Sequence, residues 1–167
     1  MPQTPNIGEL GEYLVAEWLQ AQSWVILHHR WRCRWGEIDL IAQRYSAQQE
    51  TLLPRLAFVE VKTRSRGNWD ADGLLAITAP KQAKLWRTAE LFLAERPDLP
   101  SLPCRFDVAL VRCDRISQHS GHNETNLSPS AAPIDKTIQV PSVQLGQPIV
   151  VAGYRFMLQD YIESAFD

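Results

Sequence analysis

Two short words, EIDLIA and LAFVEVKTR, constrain this chain more than any others in it. Each packs β-branched and apolar residues into a brief run bounded by turns or polar clusters, which predicts a strand rather than a helix. Side chains two apart on a strand share a face. Glu37 and Asp39 therefore lie together on one strand, and Glu60 and Lys62 together on the other, with Val59 and Val61 opposite. If the two strands are neighbours, Asp39 and Glu60 converge at a sheet edge.

Two carboxylates at such a separation, joined by a Glu from a packed helix, suit Mg²⁺, which takes oxygen ligands and keeps waters for substrate phosphates. A nearby ammonium such as Lys62 can orient a water or stabilise charge developing on a phosphate. Charged residues alternating with apolar ones are also what any half-exposed strand shows. Alternation by itself leaves both readings open.

The flanking text supplies the remaining elements. NIGELGEYLVAEWLQAQ reads as an amphipathic helix capped by Asn6, with Leu10, Leu14, Val15, Trp18 and Leu19 on one arc and Glu12 at its edge. WVILHH is a further strand. TAPKQAKLWRTAELFLAERP is a second helix, capped by Thr78, with Pro80 in the first turn and Pro97 as its stop. CRFDVALVRC is the fourth strand and completes an α-β-β-β-α-β order. From Asp114 to Gln147 the composition turns to Ser, Pro, Asn, Gln and Gly, which suggests a mobile insertion within one domain spanning 1–167. PIVVAGYRFM is expected to resume the sheet as a last strand, and LQDYIESAF to close the chain as a short helix.

A length of 167 residues fits a single domain, and a net charge of −2 excludes a polybasic nucleic-acid coat while leaving local patches open. One such patch is HHRWRCRW, where Arg30, Arg32 and Arg34 alternate with Trp31 and Trp35. It can grip phosphates and stack on unpaired bases, or it can be a strand connection with packed tryptophans and solvated arginines. Arg64 and Arg66 extend the positive character beyond Lys62. Three widely spaced cysteines indicate neither a disulfide framework nor a zinc ribbon. With no signal-peptide pattern and no long apolar run, a cytoplasmic protein without a membrane partner is expected. Histidines 28, 29, 119 and 122 form no chelating cluster, and Asp107 is expected to pair with Arg105 or another basic neighbour.

An Asp on one strand followed some twenty residues later by Glu-x-Lys on the next resembles the PD-(D/E)xK signature of the restriction-endonuclease-like superfamily. GELGEYLVAEWL, GEIDLIA, FVEVKTR and RFDV, in this order, resemble more closely the YraN-like family of uncharacterised bacterial proteins, related in pattern to Holliday-junction resolvases. The likeness covers roughly residues 6 to 113 and the final YIESAF. It implies an α/β fold with a mixed sheet flanked by helices, and hydrolysis of nucleic-acid phosphodiesters, on branched or damaged DNA, with Mg²⁺ or Mn²⁺. Asp39, Glu60 and Glu12 would then be metal ligands and Lys62 the catalytic lysine, with Glu37 a ligand or an outer acid and Gln82 near the site. A junction-cutting enzyme needs two sites, which implies a homodimer. The same core can also serve as a non-cleaving nucleic-acid-binding module or a protein-interaction adaptor.

Overall fold

The computed structural model describes residues 6–45, 54–65, 77–99, 102–116 and 142–166. Helix α1 (Ile7–Ala21) starts where Asn6 Oδ1 accepts hydrogen bonds from the backbone N–H groups of Gly8 and Glu9, at 3.1 and 3.3 Å. Strands β1 (Val25–Cys33), β2 (Gly36–Tyr45) and β3 (Pro54–Arg64) follow, then helix α2 (Ala79–Ala94) and strand β4 (Cys104–Arg115). These six elements match the order expected from the sequence. Strands β5 (Pro148–Val151) and β6 (Tyr154–Phe166) complete a sheet of order β1-β2-β3-β4-β6-β5.

Every neighbouring pair is antiparallel except β3 and β4, which are joined through α2. A parallel pair needs a crossover, and this one lays α2 on one face of the sheet. Leu85, Ala89 and Phe92 of α2 pack there with Ile41, Leu56, Phe58, Phe106 and Val108. On the other face Leu14, Val15 and Leu19 of α1 pack on Leu40, Val59, Ala109, Val111 and Leu158. Covered on both sides, β3 is fully buried from Leu56 to Val59, which is why that stretch reads as continuously apolar. The result is a mixed α/β sheet flanked by helices, consistent with the restriction-endonuclease-like core.

Helix α1 approaches β3 closely at Gly11, where an added Cβ would stand 2.1 Å from Thr63 Oγ1. A side chain at position 11 would have to displace that of Thr63. The glycine thereby fixes the height of Glu12, one residue along, above the end of β3.

Two expectations are corrected at the C-terminus. PIVVAGYRFM is two strands, because Ala152 and Gly153 take φ of 52° and 80° and close a two-residue turn between the paired Val151 and Tyr154. LQDYIESAF is no helix; it continues β6 antiparallel to β4 through Phe166. The physical reason is Asp107 on β4, which is fully buried and accepts hydrogen bonds from Tyr161 Oη at 2.7 Å and Ser164 N at 2.9 Å, with Arg105 Nε 3.1 Å away. Those bonds hold the strand end, with Ser164 at φ 48°, in a conformation a helix could not supply. The pairing of Asp107 with Arg105 is as the sequence suggests. The expected 114–147 insertion lies mostly outside the described residues.

Candidate active site

The site begins where β2 and β3 stop pairing regularly. Leu40 faces Val59, and one further step along this antiparallel register sets Asp39 beside Glu60. There the Asp39 carboxylate replaces a backbone acceptor: its Oδ2 accepts the Val61 N–H at 2.7 Å. On β1 the residue at the same level is Arg30, at φ 50°, and the strand alternation breaks with it. His29 packs on Tyr13 of α1, whereas Trp31 packs on Phe92 of α2.

Glu60 is buried, and its Oε1 receives two ammonium groups. Lys62 Nζ approaches at 2.5 Å from the same face of β3, and Lys81 Nζ approaches from the first turn of α2. Burial pushes the Lys62 pKa down, with the charge of Lys81 adding to the effect and the bond to Glu60 opposing it. For Lys81 burial acts in the same downward direction, but the bonds to Glu60 and Lys62 and the charges of Glu60 and Asp39 outweigh it and the pKa rises. Asp39 is driven the other way for an acid, up to about 7. Burial is the main cause, then the charge of Glu60, with Glu12 contributing; the Val61 N–H and Lys62 oppose the rise.

Glu12, from α1, is buried and holds Arg30 through a two-pronged ion pair, Nε to Oε2 at 2.7 Å and Nη2 to Oε1 at 3.0 Å. Arg30 Nε also stands 3.7 Å from Glu37, and Glu37 binds Arg32 Nε at 2.5 Å. A line of alternating charge, Glu12, Arg30, Glu37, Arg32, thus runs along the outer side of the site.

The structure therefore brings together Asp39, Glu60 and Lys62, with Glu12 close enough to act on Asp39 electrostatically. Among the expected phosphate-binding arginines, Arg30 is engaged by Glu12 and Arg32 by Glu37. Arg34 is exposed and lies over the ring of Trp35, with its guanidinium carbon 4.9 Å from the centroid. Arg64 is exposed and donates to the Thr63 carbonyl at 3.1 Å, and Arg66 lies outside the described residues. Gln82 donates to the Ile77 carbonyl at 3.2 Å, a bond within the helix entry.

Sequence reasoning missed Lys81, 21 residues from its partner. One signal could have found it. A cation in the first turn of a helix opposes the helix dipole, and this turn contains no acid to offset it. A lysine there calls for an anion from elsewhere in the fold.

The donor set can be tested against a divalent cation. No three His, Cys, Asp or Glu side chains among the described residues stand close enough to form a ready metal cage. Asp39 and Glu60 nevertheless offer two carboxylates crowded enough that the charge of Glu60 hinders the ionisation of Asp39. A cation relieves that crowding, and binding through one or two carboxylates with retained waters is the usual mode for Mg²⁺. The pair fits Mg²⁺ or Mn²⁺, and Glu12 would have to exchange Arg30 for the metal to join them.

Among the described residues, no helix is long and apolar enough to cross a membrane. Residues 11–111 match the model of the uncharacterised protein family UPF0102. A UPF0102 protein of Trichodesmium erythraeum is 51% identical over 168 residues, covering 98% of this chain and 90% of the relative. One of Acaryochloris marina is 54% identical over 163 residues (96% and 90%), and one of a Nostoc species 46% identical over 162 residues (97% and 94%). The likeness thus extends past the matched core to the terminal strands, and the chain belongs to the YraN-like family UPF0102.

Proposed function

We propose that this protein is a metal-dependent nuclease that hydrolyses phosphodiester bonds of DNA, with branched or damaged DNA as its substrate. The observation that carries the reading is the convergence of Asp39, Glu60 and Lys62 at the point where β2 and β3 part, with Asp39 raised to about 7 by burial and its acidic neighbours. A merely structural pair of acids gains nothing from that crowding. Asp39 and Glu60 hold the cation. When bound, it supplies a Lewis acid that polarises a phosphoryl oxygen and makes a bound water more acidic.

The chain's own groups do the rest. Asp39 is aimed by the Val61 N–H, and Glu60 is fixed in the sheet beside it. Lys62 reaches the same edge and stabilises negative charge developing on the phosphate. Water oxygen adds to phosphorus, the bond to one ester oxygen breaks, and the departing oxygen takes up a proton. Each cut leaves one phosphomonoester end and one hydroxyl end. A homodimer would supply the two sites that a junction requires.

The test is cleavage of labelled junctions, flaps, duplexes and single strands of DNA and RNA with Mg²⁺ or Mn²⁺. Asp39→Ala and Glu60→Ala should each lose at least about 100-fold in rate, and Lys62→Ala about the same. Metal-dependent cleavage that persists in Asp39→Ala refutes the assignment. One feature favours a second reading, a binding module that does not cut: Trp35 is exposed between Arg34 and Arg87, whose guanidinium carbons lie 4.9 and 5.2 Å from its ring centroid. Salt-sensitive DNA binding that survives Asp39→Ala, with no cleavage in wild type, would support it.

A further inference from the structure

We propose that Lys81 is a built-in counter-ion that occupies Glu60 until a divalent cation displaces it, and that the released ammonium then binds a non-bridging phosphate oxygen of the nucleic-acid backbone. The inference rests on the nuclease reading and assigns Lys81 a role within it.

Two lysines share one oxygen of Glu60, and they are not equivalent. Lys62 extends from β3 itself, two residues from Glu60, and its side chain is only 13% exposed. Lys81 arrives from another element and its side chain is 36% exposed, so it has room to leave. Nothing in its own helix retains it there. The first turn of α2 has no acid, and its N-cap, Thr78, makes no side-chain bond to the turn. The unpaired N–H groups of that turn repel a cation and favour an anion. The charge of Glu60 is what draws Lys81 in.

Charge counting gives the exchange its direction. Asp39 and Glu60 are balanced by Lys62 and Lys81 in the protein alone. A divalent cation on the two carboxylates leaves both ammonium groups without an acidic partner and the site with a surplus of two positive charges. Backbone phosphates, one negative charge each, are the ligand class that restores balance. The group free to swing toward them is the more exposed lysine at a helix N-terminus already suited to an anion. Lys81 thus lowers the affinity of the empty protein for metal and raises the affinity of the metal-loaded protein for DNA.

These two effects have opposite signs, which a structural role for Lys81 would not produce. Isothermal titration of metal-free protein with Mn²⁺ should show about three- to tenfold tighter binding in Lys81→Met than in wild type, because a competing cation is gone. Anisotropy of a labelled four-way junction, with Ca²⁺ replacing Mn²⁺, should show binding weaker by a similar factor. Lys81→Arg should stay near wild type in both. Lys81→Gln repeats the neutral change with a polar side chain in case Lys81→Met folds poorly. Unchanged or weaker Mn²⁺ binding in both folded neutral variants overturns the counter-ion role, and unchanged DNA affinity overturns the phosphate contact. If wild type binds Mn²⁺ and cuts while these variants behave as wild type, only the role of Lys81 falls. If wild type neither binds Mn²⁺ nor cuts, the nuclease reading falls and takes this proposal with it.

Discussion

Replacing Asp39 with Asn in metal-free protein should stabilise the fold, and only on the alkaline side. The Asp39 carboxyl is raised from its ordinary 3.8 to about 7, first by burial and then by the charge of Glu60. In the unfolded chain it titrates near ~3.9. Between these values the folded state binds more protons than the unfolded state, so stability falls as pH rises from about 4 to about 7 and stays low above that. Below about 4 the group is protonated in both states and contributes no difference. The gap of about 3 pH units, at ~1.36 kcal/mol each, sets a ceiling of about 4 kcal/mol.

Asn retains an oxygen for the Val61 N–H and carries no charge to repel Glu60. We therefore expect Asp39→Asn to exceed wild type by about 2 to 4 kcal/mol at pH 8.5 and to match it within about 0.5 kcal/mol at pH 4. Urea unfolding in EDTA, followed by circular dichroism at several pH values, measures this directly, with equal m-values as the check on comparability. Other titrating groups largely cancel in the difference between the two proteins. An Asn variant no more stable than wild type at pH 8.5, or a difference that does not vary with pH, refutes the argument that Asp39 is held ionised at a cost.

Glu12→Gln removes the two-pronged partner of Arg30 and should cost about 1 to 3 kcal/mol in urea unfolding, since the guanidinium is left half-buried beside a neutral amide. Gly11→Ala forces a methyl group to 2.1 Å from Thr63 Oγ1 and should cost about 1 to 3 kcal/mol. Thr63→Ala in the same chain should restore more than about 1 kcal/mol in a double-mutant cycle, and strict additivity would show that α1 does not press on β3 there. Asp107→Ala strands Tyr161 Oη and the Ser164 N–H and leaves Arg105 with Glu163 alone, and should lower stability by about 3 to 5 kcal/mol, against about 1 to 2 for Tyr161→Phe.

The parts of the fold that could be read from sequence are those whose periodicity is undisturbed. Helix α1 announces itself through Leu10, Leu14, Val15, Trp18 and Leu19, and β3 through its buried run and the acid and lysine at its end. Strand β6 misleads for a physical reason. Leu158, Tyr161, Ile162 and Ala165 recur at the helical spacing of three, four and seven. The spacing arises instead from bulges: β6 carries extra residues against β4 between Leu158 and Asp160 and again between Ile162 and Phe166. Each extra residue stretches the strand period of two toward the helical one. No single-sequence reading of that segment reveals the shift, because the cause is a buried Asp107 more than 50 residues away.

The arginine run shows the same limit at the site. Its alternation with tryptophan suggested a single basic surface, yet Arg30 breaks the alternation with its φ of 50° and turns toward Glu12. The charge of the run is thus divided between pairing inside the protein and exposure at the β1–β2 turn.

Topology explains why the residue missing from the sequence reading lies on α2. Strand β3 pairs antiparallel with β2 and parallel with β4, so α2 must cross the sheet between the end of β3 and the beginning of β4. The first turn of that helix stands over the end of β3 that carries Glu60 and Lys62, as the contact of Lys81 with Glu60 shows. Here the crossover from β3 puts a helix N-terminus within reach of the Glu60 carboxylate. At that position an ordinary sequence would place an acid or a neutral residue. This chain places Lys81, and the departure from helix preference is itself the trace of the site.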